Sequence, residues 1–510
     1  MADKRSLLIF CIIWICGSHC KQRNKSQKPN VILIVADDLG WNDVSFHGSA
    51  QIPTPNIDRL AKEGIILNNY YVNPICTPSR GALLTGKYPI HTGLQQDVIY
   101  GVEPWGLGLE EKLLPQFLRH MGYKTHAIGK WHLGFFQSNY TPTYRGFDSH
   151  FGKWLGHGDY FDHAAQEWDD WALDIRHNME PVKNLTGRYS TDIYSKRAEK
   201  IILDHNTSSP LFLYLAHQAV HSANTYDPLQ TTVQYYNRFP HIKHNGRRLF
   251  AGMVAGLDES VGRAHRALQS RGMDSNTILI FTTDNGGPAA GFNYNHANNW
   301  PLRGVKDTLW EGGVRGSAFI WSPLLQSAGR VSTQMMHITD WLPTILSAAK
   351  HKGRLSELDG HNMWRALSED TASPRTEILL NIDHERQIYA LRSAQYKLVI
   401  GSTYEGKWDG WYPPEGQSTI SDSLTVNCTP PVDPSVKTSC QPLTGAPCLF
   451  DIEKDPCEYE NLADIMPRKL EELMKKLRWY NTTVVPPRNL PHDPAAKPQY
   501  HNYIWSPWKD

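Results

Sequence analysis

The chain has 510 residues, 40% hydrophobic and 20% charged, proportions that exclude a largely disordered chain, a collagen-like rod and a coiled coil. Lys and Arg total 52 against 51 Asp and Glu, which leaves no basic footprint for nucleic acid and no general pull toward anionic membrane. At ~150 residues per domain the length allows two to four domains.

Lys4 and Arg5 precede an apolar run from Leu7 to Cys16 and the small residues Gly17 and Ser18, the layout of a secretory signal peptide over residues 1–20. The run is half the ~20 residues that a membrane span needs, and no later run is long enough either, so an exported protein without a transmembrane segment is expected. N-x-[ST] sequons at Asn139, Asn184, Asn206, Asn427 and Asn481, with another at Asn24, agree with a secretory route. Cys428, Cys440, Cys448 and Cys457 lie close together and predict two local disulfides of undetermined pairing. Cys76 has no evident partner.

From residue 30 to about 350, strands and helices alternate. Asn30 to Ala36 is a short continuous apolar run, the pattern of a strand buried on both faces. Thr54-Pro55 opens a helix that Gly64 ends, and Leu113, Leu114, Phe117 and Leu118 mark a second that ends at Gly122. Thr125–Gly129, Leu211–Ala216 and Thr277–Thr283 are further strands, the last preceded by a helix from about Phe250 to Arg271. This predicts an α/β domain around a central, mostly parallel sheet flanked by helices. Residues 351–376 are polar with few periodic apolar positions, which places the boundary between a catalytic domain over 29–372 and a C-terminal subdomain over 373–510. In the latter, Ile378–Ile382, Ile388–Leu391 and Tyr396–Ile400 read as an antiparallel meander, Pro467 to about Tyr480 as a helix, and the Pro-rich tail from Val484 as extended and surface-bound. The 17 Trp suit either a large core or stacking on sugar faces.

Two strand ends match. The first strand runs into Asp37-Asp38 and the Thr277–Thr283 strand into Asp284-Asn285. In open α/β sheets ligands bind at that edge. Three carboxylates and an amide oxygen suit a hard cation such as Ca²⁺ or Mg²⁺, although Asp and Asn after a strand also simply open turns. In Cys76-Thr77-Pro78-Ser79-Arg80-Gly81, Thr77 can cap a helix that Gly86 ends. Cys76 is then expected just before a helix N-terminus, where an anion is favoured, with Arg80 one turn on.

Cys76-Thr-Pro-Ser-Arg80 followed by Gly resembles the signature of the sulfatase family, in which this cysteine becomes formylglycine. Other blocks resemble the family in the same order: Ala36 to Gly40, Thr54 to Asp58, Gly129 to Gly134, Asp284 to Gly287 and Leu449 to Ile452. The resemblance spans essentially the whole chain after the signal segment. It is nearest to arylsulfatase B-like (N-acetylgalactosamine-4-sulfatase-like) members, through Leu302 to Lys306, Trp310 to Arg315 and Trp505 to Trp508. Unlike many of those members, the chain has only Cys76 in its catalytic domain.

The resemblance implies an alkaline-phosphatase-like fold, one Ca²⁺ held by Asp37, Asp38, residue 76, Asp284 and Asn285, and maturation by a formylglycine-generating enzyme. It implies that Arg80, Lys130 and Lys306 meet the sulfate, that His132 is a base and that His221 protonates the leaving oxygen. A sulfated carbohydrate is the implied substrate, with the 4-sulfate of N-acetylgalactosamine in dermatan or chondroitin chains foremost. Either the lysosome or the extracellular space fits. Lys130 and His132, at i and i+2, point to one side if the segment is extended. His217, at i, i+4 from His221, matches no family position and stays unassigned. Two other classes compete: a phosphate-ester hydrolase of the same superfamily, whose zinc ligands cannot be placed here, and a catalytically inactive carbohydrate-binding descendant.

Overall fold

The computed structural model describes residues 28–414, 426, 428 and 440–510. The signal segment and the sequons at Asn24 and Asn427 lie outside the described residues. Asn30–Ala36 is a strand buried at every position. It sits near the middle of a ten-stranded sheet, between Thr277–Thr283 on one side and Leu211–Ala216 on the other, parallel to both. Lys124–Lys130 and Ser149–Lys153 extend the parallel centre beyond Leu211–Ala216. Short, mainly antiparallel strands complete both edges, so the sheet is mixed with a parallel core.

Alternation along the first strand divides the interior. Val31, Leu33 and Val35 face one hydrophobic cluster with the helices Cys76–Thr85, Leu114–His120 and Trp341–Ala348. Ile32, Ile34 and Ala36 face the other, with Pro55–Glu63, Ser190–Asp204 and the 26-residue helix Asn245–Ser270. A strand covered on both faces is apolar throughout, which is why it reads as an unbroken hydrophobic run.

A four-stranded antiparallel sheet follows, in the order Glu377–Asp383, Ile388–Ser393, Tyr396–Ile400 and Cys448–Asp451. The helix Pro467–Asn481 lays Leu473, Leu477 and Tyr480 against its Leu379, Leu391, Leu398 and Leu449. The disulfides pair Cys428 with Cys457 and Cys440 with Cys448.

Two expectations need correction. The polar stretch 351–376 contains the helix Trp364–Glu369, whose Ala366 and Leu367, with Met363 before it, are buried in the main core; it is too short for its period to show. The tail is extended only over 484–493, where it hydrogen-bonds to Ile90, Gly93 and Val102; the short 3-10 turns Pro494–Ala496 and Pro498–His501 follow, and it does not stay on the surface. Trp505 is buried and donates its indole N–H to the carbonyl of Ala165. Several other indoles likewise serve the core: Trp41, Trp131, Trp154, Trp310 and Trp341 are fully buried. No helix among the described residues is long and apolar enough to cross a membrane.

Candidate functional site

Strand register assembles the site. Ala36 lies opposite Thr283, Val35 opposite Ala216, and Ala216 opposite Gly129. The residues leaving these strands, Asp37-Asp38, Asp284-Asn285, His217 onward, and Lys130 to His132, therefore emerge at one level of the parallel edge. Asp37, Asp38, Lys130, Asp284 and Asn285 are all 0–1% exposed.

Cys76 comes to the same place from a helix. Ile75 is the extended N-cap and Cys76 the first helical residue, so the cysteine lies inside the helix rather than before it. Thr77 does not cap: its hydroxyl donates to the carbonyl of His132 and ties the helix start to the Lys130–His132 segment. Ser79 Oγ accepts from the Asn73 N–H and donates to the Asn73 carbonyl, fixing the approach to the helix. A Cβ at Gly81 would meet the Cδ1 end of Leu94, which would have to shift. Gly86 ends the helix with φ 70°, a left-handed conformation that glycine adopts without strain.

Three carboxylates and three cations interlock around the thiol. Arg80 donates from Nε and Nη2 to Asp284 Oδ2 at 3.0 and 2.8 Å, Lys130 Nζ to Asp37 Oδ2 at 2.7 Å, and Lys306 Nζ pairs with Asp38 Oδ1 at 2.7 Å. Cys76 Sγ lies 3.7 Å from Asp37 Oδ1. Ligand atoms of Asp37, Asp38, Cys76 and His221 all fall within 4.8 Å of one another. Asp284 Oδ1 accepts the Asp38 N–H, and Asn285 Nδ2 donates to Asp38 Oδ1. Asn285 Oδ1 is buried without a hydrogen-bond partner among the described residues, an acceptor that a cation would satisfy.

Burial pushes the Cys76 thiol up to about 12 despite Lys130 and Lys306, so the thiol stays protonated. Burial and the neighbouring Asp37 raise Asp284, against Arg80. For Lys306 burial disfavours the charge, but Asp38 outweighs it and holds the ammonium well above its ordinary value. Burial, reinforced by Lys130 and Arg80, holds His132 well below the usual imidazole range, and burial with Lys306 does the same to His221.

The two imidazoles have defined tautomers. His132 Nε2 lies 3.0 Å from the Ile99 carbonyl, which can only accept, so Nε2 carries the proton and the buried Nδ1 is left without a partner. His221 Nδ1 donates to the Ser222 carbonyl at 2.7 Å, leaving Nε2 beside Asp38 Oδ2 at 3.5 Å. Simple strand alternation does not bring Lys130 and His132 together, because His132 has φ 58° and the chain turns there. His217 leaves the site: it is fully buried and its Nε2 meets Ser260 on the long helix at 2.9 Å.

Above the cluster opens a pocket of about 580 Å³ lined by Cys76, His132, His221 and Lys306. Other lining residues were missed by sequence reasoning, among them Asp97, Tyr100, His157, Glu167 and Arg386. Asp97 and Tyr100 share one irregular segment, Glu167 ends the strand Ala164–Glu167, and none carries a motif. Asp307 also lines it, and its place beside Lys306 was the one available hint.

The sulfatase family model matches residues 29–351. Arylsulfatase J of Mus musculus is 40% identical over 511 residues, covering 95% of this chain and 81% of that protein. N-acetylgalactosamine-6-sulfatase of Homo sapiens is 33% identical over 342 residues, covering 63% and 62%. Among solved structures, Ps i-CgsB in complex with k-i-k-neocarrahexaose superposes with a TM-score of 0.74 at 29% identity, covering 92% of this chain and 96% of that one. A family match over more than half the chain and a relative aligned along nearly all of it accord with a polar cluster at the carboxyl edge of a parallel sheet: the chain belongs to the sulfatase family and is a sulfuric ester hydrolase.

Proposed function

We propose that this chain is a calcium-dependent sulfatase that acts on sulfated sugars through a formylglycine made from Cys76, with the 4-sulfate of N-acetylgalactosamine in dermatan or chondroitin sulfate as its substrate. The observation that carries the reading is the buried meeting of Cys76, three carboxylates and three cations below an open pocket. One relative is named for N-acetylgalactosamine, and one similar structure is a complex with k-i-k-neocarrahexaose; both support a sulfated sugar. The Leu302 to Lys306 and Trp310 to Arg315 blocks point to the 4-sulfate.

The donor set fits the implied ion. Asp37, Asp38, Asp284 and the unpartnered Asn285 Oδ1 offer hard oxygens, and they would hold Ca²⁺ beside residue 76. When bound, the ion supplies positive charge that withdraws electron density from the sulfate oxygens. A hydrated formylglycine supplies two hydroxyls on one carbon, one to attack sulfur and one whose proton is lost when the aldehyde is restored.

The chain's own residues do the rest. With the carboxylates engaged, Arg80, Lys130 and Lys306 are left to meet the oxygens of the ester in a water-poor site, where fixed charge acts strongly. His132 Nδ1 is the basic nitrogen that takes the hydroxyl proton, since Nε2 is committed to Ile99. His221 presents Nε2 to the pocket and gives a proton to the departing sugar oxygen. Burial keeps His221 neutral without substrate; the negative charge of a bound sulfate raises its affinity for that proton.

Cys76 is 2% exposed, so a formylglycine-generating enzyme has to meet it before the fold closes. The signal-like segment and the sequons support maturation in the secretory pathway, with lysosomal or extracellular delivery. The sequons Asn139, Asn184, Asn206 and Asn481 are all exposed.

Mass spectrometry of protein secreted from a eukaryotic host tests the reading. Trypsin releases Glu63 to Arg80, and conversion of the thiol to an aldehyde makes that peptide roughly 18 Da lighter. The modified protein is expected to hydrolyse 4-nitrophenyl sulfate and spare 4-nitrophenyl phosphate. Unmodified Cys76 from a host that converts other sulfatases, or preferred hydrolysis of the phosphate, overturns it.

A further inference from the structure

Away from Cys76 the pocket lining carries Asp97, Glu167 and Asp307, and its Arg and Lys side chains among the described residues are Arg386 and Lys306. Burial pushes Glu167 up to about 8, so it is largely neutral at pH 7 and the charge there falls to Asp97 and Asp307. Arg386 is already committed. Its Nη1 donates to both oxygens of Asp307 at 2.9 and 3.0 Å, its Nε to Asp383 Oδ2 at 2.7 Å, and its Nη2 to the Gln96 carbonyl. Tyr404 adds a hydroxyl to Asp307 Oδ2 at 2.7 Å. Two carboxylates therefore balance and exceed the one guanidinium.

Asp97 feels the same group without an ion pair to it: burial raises its carboxyl, Asp307 and Asp383 add to that, and Arg386 acts against it. Asp97 is half-buried, and its hydrogen bond among the described residues comes from the N–H of its own neighbour Val98, at 2.7 Å. No cation pairs with it there. The same wall offers apolar faces: Tyr100 lies 4.8 Å from Trp168, which is 50% exposed, and Tyr404 is 49% exposed. Uncompensated carboxylate and exposed aromatic faces are the chemistry that holds a neutral sugar ring, through its hydroxyls and its C–H face.

We propose that Asp97 is a specificity-determining residue: it keeps the outer wall anionic, so the enzyme takes esters whose only negative charge in the pocket is the reacting sulfate and disfavours a second sulfate or carboxylate on the same ring. The inference rests on the sulfatase reading above and narrows its substrate class to monosulfated rings.

Two aryl esters of the same shape isolate the charge: 4-carboxyphenyl sulfate and 4-carbamoylphenyl sulfate, assayed at neutral pH. The wild type is expected to favour the carbamoyl ester in kcat/KM, mainly through KM. Asp97→Asn shrinks that preference by about tenfold, the size expected of one charge several ångströms away in a half-buried pocket. Asp97→Glu retains it, and comparing the ester ratio between wild type and variant cancels the difference in leaving groups. Added salt narrows the wild-type preference independently of any variant. Among monosaccharides, N-acetylgalactosamine 4-sulfate is expected to be cleaved faster than the 4,6-disulfate. An equal ester ratio in Asp97→Asn and wild type, or a ratio insensitive to salt, overturns the inference and leaves the sulfatase reading standing. No hydrolysis of either ester by protein carrying the aldehyde overturns both.

Discussion

Lys397→Met tests how the small sheet is fastened to the main one. Lys397 Nζ lies 2.9 Å from Glu311 Oε1 and 2.8 Å from Glu458 Oε1, with all three side chains 0% exposed. Glu311 belongs to the short helix Glu311–Val314, and its carboxylate also accepts from Tyr71 at 2.6 Å. Methionine matches the length of lysine without its charge, so the variant strands two buried carboxylates. Removing one partner of a buried pair costs about 3–5 kcal/mol. The loss should depend on pH. Burial pushes Glu458 up to about 7 even with Lys397 beside it. A carboxyl whose folded value is raised is best tolerated protonated, so its contribution to stability falls as pH rises from its unfolded value toward and through about 7. At pH 8 Glu458 is charged in the wild type. In the variant, where loss of Lys397 raises it further, it must either stay charged without its cation or take up a proton at a cost absent at pH 5. At pH 5 Glu458 is already neutral, and Glu311 keeps Arg315 at 3.5 Å, so roughly half the cost remains. If all 510 residues unfold together, at about 2 cal/mol/K per residue, ~4 kcal/mol lowers Tm by about 4 °C at pH 8. A C-terminal unit of about a hundred residues melting alone would shift several times further. Calorimetry at pH 5 and 8 reads both, and Lys397→Met with Glu458→Gln should recover the part specific to pH 8. An equal loss at both pH values, or none, refutes the reasoning.

Cys76→Ser replaces one small buried side chain with another, so Tm should stay near wild type while sulfate-ester turnover falls by about 10³-fold or more; normal turnover would sink the chemistry of two hydroxyls on one carbon. His221→Ala should slow a sugar sulfate by about 10²-fold or more and 4-nitrophenyl sulfate much less, because nitrophenolate leaves without a proton. His217→Phe, facing the long helix, should leave the ratio of the two substrates unchanged, and a change there would return His217 to the site. Chelation with EGTA should abolish activity and lower Tm, with Ca²⁺ restoring both; activity indifferent to EGTA argues against the ion.

Much of the site was legible because it sits at strand ends. A buried parallel strand writes itself as a run such as Val31 to Ala36, and the residues after it land at the carboxyl edge whatever the connections between. Asp37, Asp38, Asp284 and Asn285 could thus be placed in one region before any contact was known. The Cys76 block was legible as a motif, although its cap was misread: Thr77 is spent on the His132 carbonyl, a contact across 55 residues that no local rule contains. The outer pocket was not legible at all. Asp97, Glu167 and Arg386 come from an irregular segment, a strand end and a turn, and a lone Asp, Glu or Arg in a polar segment looks like any solvated surface residue. The same holds for Lys397, which the alternation of its strand marks only as a position facing inward.

The charge arrangement ties these parts together. Without an ion, the site is three carboxylates against three cations, each pair within 3 Å and out of water. Such a balanced cluster can be buried because no charge in it stands alone. Adding a divalent ion makes the floor of the pocket net positive, and one sulfate ester brings back one negative charge there. The cluster is therefore stable when empty of substrate and attractive to an anion only when loaded. Under the role proposed for Asp97, an ester that enters is drawn by its sulfate and held off by any further anion. Orientation follows from that polarity: the sulfate goes down toward residue 76, and the neutral ring stays beside Tyr100 and Tyr404.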